Sequence, residues 1–148
     1  MITVGELMKE KDKQGTISIS PEATVYEALQ LMADKDVGAL MVVKGGEMIG
    51  ILTERDYARK VILQKKSSFE TSVGEIMTSD TITVRPEQTI EEAMQLMSKY
   101  QIRHLPVMEK GRLVGMVSMR DVVEAIISMK DSDIAKLENY ILSEGYGR

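Results

Sequence analysis

Apolar and polar positions along this chain follow a pattern that occurs twice. Ile17 and Ile19 alternate with Ser18 and Ser20, the period-two signature of a short strand, and Pro21 ends it; Ile82 and Val84 do the same ahead of Pro86. Val25, Ala28, Leu29 and Met32 then recur as Ile90, Ala93, Met94 and Met97, an i, i+3, i+4, i+7 stripe that predicts a helix with one buried face in each copy. Both helices carry a start signal, Thr24 with Glu27 and Thr89 with Glu92, at capping-box spacing. Residues 40–43 and 48–52 flank a Gly-Gly turn, residues 105–108 and 113–117 flank Lys110-Gly111, and each pair predicts a hairpin. A further helix starts at Thr53 in the first copy and at Ser118 in the second.

The two series are one series repeated. Residues 17–56 align without a gap on residues 82–121, with fifteen identities in forty positions. Upstream, Val4-Gly-Glu-Leu-Met8 matches Val73-Gly-Glu-Ile-Met77 at an offset four residues larger, because the first copy carries the charged insertion 9–15, and solvated loops absorb such insertions readily. Two copies are too few for a solenoid, so the pattern predicts a tandem duplication closing on itself. The fold class is α/β of the α+β type: two strand–helix–strand–strand–helix units, residues 1–66 and 67–130, and a short C-terminal helix and tail, residues 131–148. A unit of about 60 residues has a marginal core alone, so the halves are expected to pack together. Val122, Val123, Ala125, Ile126, Ile127 and Met129 spread over more than one helix face, which suggests burial against a second chain, a homodimer, unless the helix is simply buried within one chain. After Asp131, Ile134, Leu137 and Ile141 mark an amphipathic helix stopped at Gly145, with a loose tail from Tyr146.

Composition narrows the function more than the fold. The net charge is −4, with one Phe and no basic stripe, so neither nucleic acid nor an anionic membrane is invited. No apolar run approaches the roughly 20 residues of a membrane span and the N-terminus lacks a signal-peptide core, which places the chain in the cytoplasm. The lack of cysteine removes disulfides, thiolate catalysis and the usual zinc ligand sets. The twelve methionines sit mainly on helix stripes and strand faces, where a flexible thioether fills core space. Gly45-Gly46 is not followed by Gly-Lys-Ser/Thr, so it is no phosphate loop, and no nucleophile–base or paired-carboxylate arrangement argues for an enzyme.

The chemistry gathers in the repeated segment Gly50-Ile-Leu-Thr-Glu-Arg-Asp56 and its copy Gly115-Met-Val-Ser-Met-Arg-Asp121. A hydroxyl three residues ahead of a carboxylate caps a helix, a role worth about 1 kcal/mol that needs no ligand. The same hydroxyl, carboxylate and free N–H groups can also grip a ribose and a phosphate. The residues alone leave both readings open. His104, the only histidine, follows Arg103 at a strand mouth; a lone histidine there is usually structural, yet the pair supplies local positive charge in an acidic chain.

Taken together, the Val-Gly-Glu-Leu/Ile-Met openings, the Pro-Glu-x-Thr-Val/Ile helix entries, Ile102-Arg-His-Leu-Pro-Val107 and the two Gly-x-x-Thr/Ser-x-Arg-Asp segments resemble the paired CBS domain, or Bateman module. The resemblance spans nearly the whole chain. It departs in Ser118, in Gly38-Ala39-Leu40-Met41, which lacks the Arg-His-Leu-Pro of the second copy, and in the insertion before Thr16. It implies two βαββα units with pseudo-twofold symmetry, commonly a disc-like dimer, and inter-repeat clefts for adenine nucleotides (AMP, ADP, ATP) or S-adenosylmethionine as regulatory ligand. No catalytic cofactor is implied, and a protein partner reads the change. It also favours the grip over the bare cap. On that basis one cleft is expected to join Thr53, Arg55 and Asp56 to Thr81, Ile82, Arg103, His104 and Pro106. Its mirror would join Ser118, Arg120 and Asp121 to Thr16, Ile17, Gly38 and Ala39, with weaker phosphate selectivity for want of an Arg-His pair. The competing expectation is a structural dimerisation module with no ligand, its Thr/Ser-x-x-Asp segments acting only as caps.

Overall fold

The computed structural model describes residues 2–11 and 16–144; the far end of the charged insertion, the Gly145 stop and the tail after it lie outside the described residues. In chain order the elements are α1 (Val4–Lys11), β1 (Ser18–Ile19), α2 (Val25–Lys35), β2 (Ala39–Lys44), β3 (Glu47–Thr53), α3 (Glu54–Tyr57), α4 (Val73–Ile76), α5 (Ile90–Tyr100), β4 (His104–Glu109), β5 (Arg112–Ser118) and α6 (Met119–Glu144). A π-helical turn, Ala58–Ile62, continues α3.

Local chemistry accounts for the boundaries. The Thr24 hydroxyl accepts from the Glu27 N–H while Glu27 reaches back to the Thr24 N–H, and Thr89 with Glu92 repeats the arrangement, so both capping boxes form as the spacing predicts. Each hairpin turns on two central residues with positive φ, Gly45 and Gly46 in one and Lys110 and Gly111 in the other, the geometry that fits strand twist. Each also slips register at the same aligned step, after Val42 and after Val107, which leaves Val42 opposite Gly50 and Val107 opposite Gly115.

The first repeat forms a three-stranded sheet in the order β1-β2-β3, with β1 parallel to β2. The second keeps only the β4-β5 hairpin, and the strand expected at Ile82 and Val84 shrinks to one parallel bridge, Val84 with Val107. The segment around it has partners elsewhere: Val84 is buried in the core and Ile82 packs against that core from the edge. The helix expected after Asp131 is present, but it is not separate. With neither proline nor glycine between Met119 and Glu144, nothing interrupts the backbone ladder, and one 26-residue helix runs through.

Two cores lie side by side, and the short opening helices are exchanged between them. α1, ahead of the first repeat, places Val4 and Leu7 in the second repeat's core with Ile90, Leu105 and Val117. α4, ahead of the second repeat, places Val73 and Ile76 in the first repeat's core with Val25, Leu40 and Leu52. Matching backbone bonds hold both, Gly5 N–H to Pro86 O and Gly74 N–H to Pro21 O at 2.9 Å each. The duplicated glycines have a steric cause, since a Cβ on Gly5 or Gly74 would stand 3.2 Å from the carbonyl oxygen of Pro86 or Pro21. A third apolar group, Ala39, Met41 and Ile51 against Leu113 and Met116, joins the two hairpins.

Candidate ligand site between the repeats

Antiparallel register decides what each Thr/Ser-x-x-Asp segment faces. Ala39 pairs with Thr53 and His104 with Ser118, so the first residue of each inner strand stands beside the hydroxyl that ends its own hairpin. Met119 N–H donates to Arg103 O at 2.9 Å, and Glu54 N–H to Gly38 O at 3.1 Å. Register thus sets Arg103-His104 beside Ser118 and Gly38-Ala39 beside Thr53, within one repeat each, because a tight hairpin joins its two open ends. The expected approach of Arg55 to Arg103 and His104 is present as well, across the repeats.

An open groove of about 1390 Å³ lies between the repeats. One wall carries Arg103, His104, Ser118, Arg120 and Asp121 of the second repeat, and the other carries Gly38, Glu54 and Arg55 of the first. A Cβ on Gly38 would stand 3.6 Å from His104 Cε1, so the histidine faces the first repeat. Arg55 bridges the walls, its Nη1 donating 2.7 Å to the Gln101 carbonyl at the left-handed cap of α5. Arg120 is held along α6 by Glu124 at 3.2 Å, whereas the exposed guanidinium of Arg103 has no hydrogen bond or ion pair among the described residues. Ser118 and Asp121 cap α6 reciprocally: Asp121 N–H donates to Ser118 Oγ at 3.1 Å, and Ser118 N–H to Asp121 Oδ2 at 2.8 Å.

The first repeat's copy of that cap is not in the groove. Thr53 and Asp56 form the same reciprocal pair at 3.0 and 3.1 Å, and Asp56 is buried. Its other oxygen, Oδ1, accepts from the Thr78 hydroxyl at 3.1 Å and lies 3.1 Å from the Lys60 ammonium, which also donates to Ile76 O. By the repeat's own alignment, Ala125 stands where Lys60 stands in the first copy.

The remaining anticipated residues are not among those that line this groove. Thr81 begins the approach to the second core, Ile82 packs against it, and Pro106 is buried with its carbonyl accepting from Val84 N–H. Thr16 lies beside β5, its Oγ1 3.9 Å from where a Gly115 Cβ would be, Ile17 O accepts from Met41 N–H, and Ala39 is buried between the hairpins. Sequence reasoning missed Glu54, Gln101, Glu124, Lys60 and Thr78. Lys60, four residues after Asp56, and Glu124, four after Arg120, were detectable as opposite charges one helical turn apart; the contacts of Glu54, Gln101 and Thr78 cross between elements and have no spacing signature. Among the described residues no group of three or more acidic or histidine side chains could hold a metal ion, and no helix is long and apolar enough to cross a membrane.

The CBS domain family matches the chain twice, over residues 4–63 and 73–128. The chain belongs to the CBS domain family. As a CBS pair it is 44% identical over 147 residues to the CBS domain-containing protein CBSX3, mitochondrial, of Arabidopsis thaliana, which covers 94% of this chain and 71% of that protein. Its fold superposes on a protein with CBS domains from Burkholderia ambifaria with a TM-score of 0.82, at 45% identity, over 85% of this chain and 94% of that one. A more distant likeness, 24% identical with a TM-score of 0.76 over 87% of this chain and 98% of the other, is the CBS domain pair of protein MJ0100, solved in complex with 5′-methylthioadenosine and S-adenosyl-L-methionine. The tandem architecture with two sheets is thus that of the family.

Proposed function

We propose that this CBS pair is a regulatory module that binds an adenosine-containing ligand in the groove between its repeats. The ligand is AMP, ADP, ATP or S-adenosylmethionine, and its binding alters the geometry of a homodimer that a protein partner reads. What carries the reading is the composition of the groove. It sets Arg103 and Arg55, from different repeats, beside a short carboxylate and a hydroxyl at the N-terminus of α6. Guanidinium groups fork onto phosphate oxygens, a helix N-terminus favours an anion, and a carboxylate accepts from ribose hydroxyls. The complex of the MJ0100 pair with two adenosine compounds supports that ligand class. Because the groove takes parts of both repeats, a ligand seated there has differential contact with any state in which the repeats shift, which is the requirement for a switch.

Calorimetric titration of AMP, ATP and S-adenosylmethionine into the purified protein tests this. Binding of at least one of them, weakened about tenfold or more in D121A and R103A, is expected. No heat at millimolar ligand sinks the sensor and leaves the structural dimerisation module, with the Ser118-x-x-Asp121 segment only a cap.

A further inference from the structure

The carboxylate of Asp56 has every acceptor position engaged inside its own chain. Oδ2 accepts from the Thr53 N–H at 3.0 Å and from the Thr53 hydroxyl at 3.2 Å, and Oδ1 accepts from the Thr78 hydroxyl and the Lys60 ammonium, each at 3.1 Å. A carboxylate offers about four lone-pair positions, so no further donor is accommodated. The ammonium is equally committed. Besides Asp56 it donates to the Ile76 carbonyl at 3.1 Å and reaches the Thr78 hydroxyl at 3.5 Å, which matches its three protons. Thr78 is itself fixed, exchanging two backbone bonds with Ile51 at 2.8 and 2.9 Å. Of the ion pair, the lysine is the outer member, its side chain 45% exposed against 10% for Asp56, so it covers the carboxylate on the solvent side.

The second copy is built differently at both ends of that ion pair. Asp121 and Ala125, aligned with Asp56 and Lys60, both line the groove between the repeats. The backbone differs as well. Lys60 stands in the π-helical turn Ala58–Ile62, whereas the aligned residues 123–127 belong to the continuous α-helix α6. A π turn is a rare distortion of a helix, so the first copy carries an irregularity at the residue whose ammonium reaches Asp56, Ile76 and Thr78. Duplication by itself would give two equivalent sites. We propose that Lys60 acts as a resident plug: it keeps the Thr53-x-x-Asp56 segment from accepting a ribose, so the pair takes a single adenosine ligand, in the groove at Asp121. The inference rests on the proposed function and deepens it by fixing how many ligands a chain holds and which carboxylate meets them. A ribose diol arriving at Asp56 would have to exchange a charge-assisted bond for a neutral one, and charge-assisted bonds are about twice as strong.

Calorimetric titration of AMP, ATP and S-adenosylmethionine into wild type and K60A counts the sites. Wild type is expected to saturate at about one equivalent per chain of whichever of the three binds, and K60A, with Asp56 Oδ1 uncovered, at about two. The added equivalent should survive D121A in the K60A background, since Asp121 lines the groove. Lys60 is half-exposed, so K60A should keep the circular dichroism of the parent; K60M, which retains the aliphatic stem, takes its place if it does not. About two equivalents in wild type, about one in the folded variant, or loss of both equivalents to D121A overturns the plug while leaving the regulatory reading in place. No heat from any of the three compounds in wild type overturns that reading and the plug together.

Discussion

Lys60 sets its ammonium 3.1 Å from Oδ1 of Asp56, one helical turn earlier, and closes off a carboxylate whose repeat-mate, Asp121, lines the open groove. Two segments related by duplication have thereby taken different work: one ties the repeats together and the other faces solvent space. The distinction has measurable consequences.

Loss of Asp56 should cost more than loss of a cap alone. D56A removes the helix cap and also strands the Thr78 hydroxyl and the Lys60 ammonium at a buried position, so about 2–3 kcal/mol is expected, against about 1 kcal/mol for T53A, which removes the capping hydroxyl. Urea unfolding of both variants checks this; equal losses, or the reverse order, contradict the closure of Asp56 by Lys60 and Thr78.

The repeated glycines should also differ. A Cβ on Gly50 would stand 2.8 Å from the Thr78 carbonyl oxygen, which is backbone, and 2.8 Å from Met77 Sδ. On Gly115 the closest neighbours are the terminal methyl and sulfur of Met8, the flexible end of a side chain. G50A is therefore expected to cost about 1–3 kcal/mol and G115A clearly less. Thermal unfolding of the two single variants decides, with a larger drop in G115A counting against the packing described.

Phosphate should be read by the two arginines. R55A and R103A are expected to weaken AMP and ATP about tenfold while changing affinity for adenosine little, since a guanidinium acts on the charged oxygens. R55A also gives up the bond to Gln101 O, an exposed contact worth about 1 kcal/mol of stability. Equal loss for adenosine and AMP would place the arginines elsewhere in recognition.

Acid should loosen the start of α5. The backbone N–H of Thr89, with help from the Gln88 amide, holds the Glu92 carboxyl below its ordinary value near 4.5. A depressed folded value means that the contribution is present above the unfolded value and disappears as pH falls through the lower folded one. Wild type should therefore lose stability below about pH 4.5 more steeply than E92Q, whose amide keeps an acceptor at the cap without titrating. Denaturation midpoints from pH 6 to 3 for the two proteins, if parallel throughout, would rule the linkage out.

Much of this protein was legible in its residues alone. The gapless repeat fixed two equivalent units, the period-two and 3.6-residue stripes marked the hairpins and helices, and Thr24–Glu27 and Thr89–Glu92 marked where helices begin, because all of these depend on neighbours within a turn or a hairpin. The family resemblance rested on the same short segments. What only the tertiary structure decided lies between segments. The exchange of α1 and α4 between cores, the pairing of Arg103-His104 with Ser118 rather than Thr53, and the closure of Asp56 by Thr78 join residues far apart in the chain. The hairpin register could have given the second of these; the other two depend on how two cores settle against each other, where duplication supplies symmetry and single substitutions such as Lys60 and Ala125 break it.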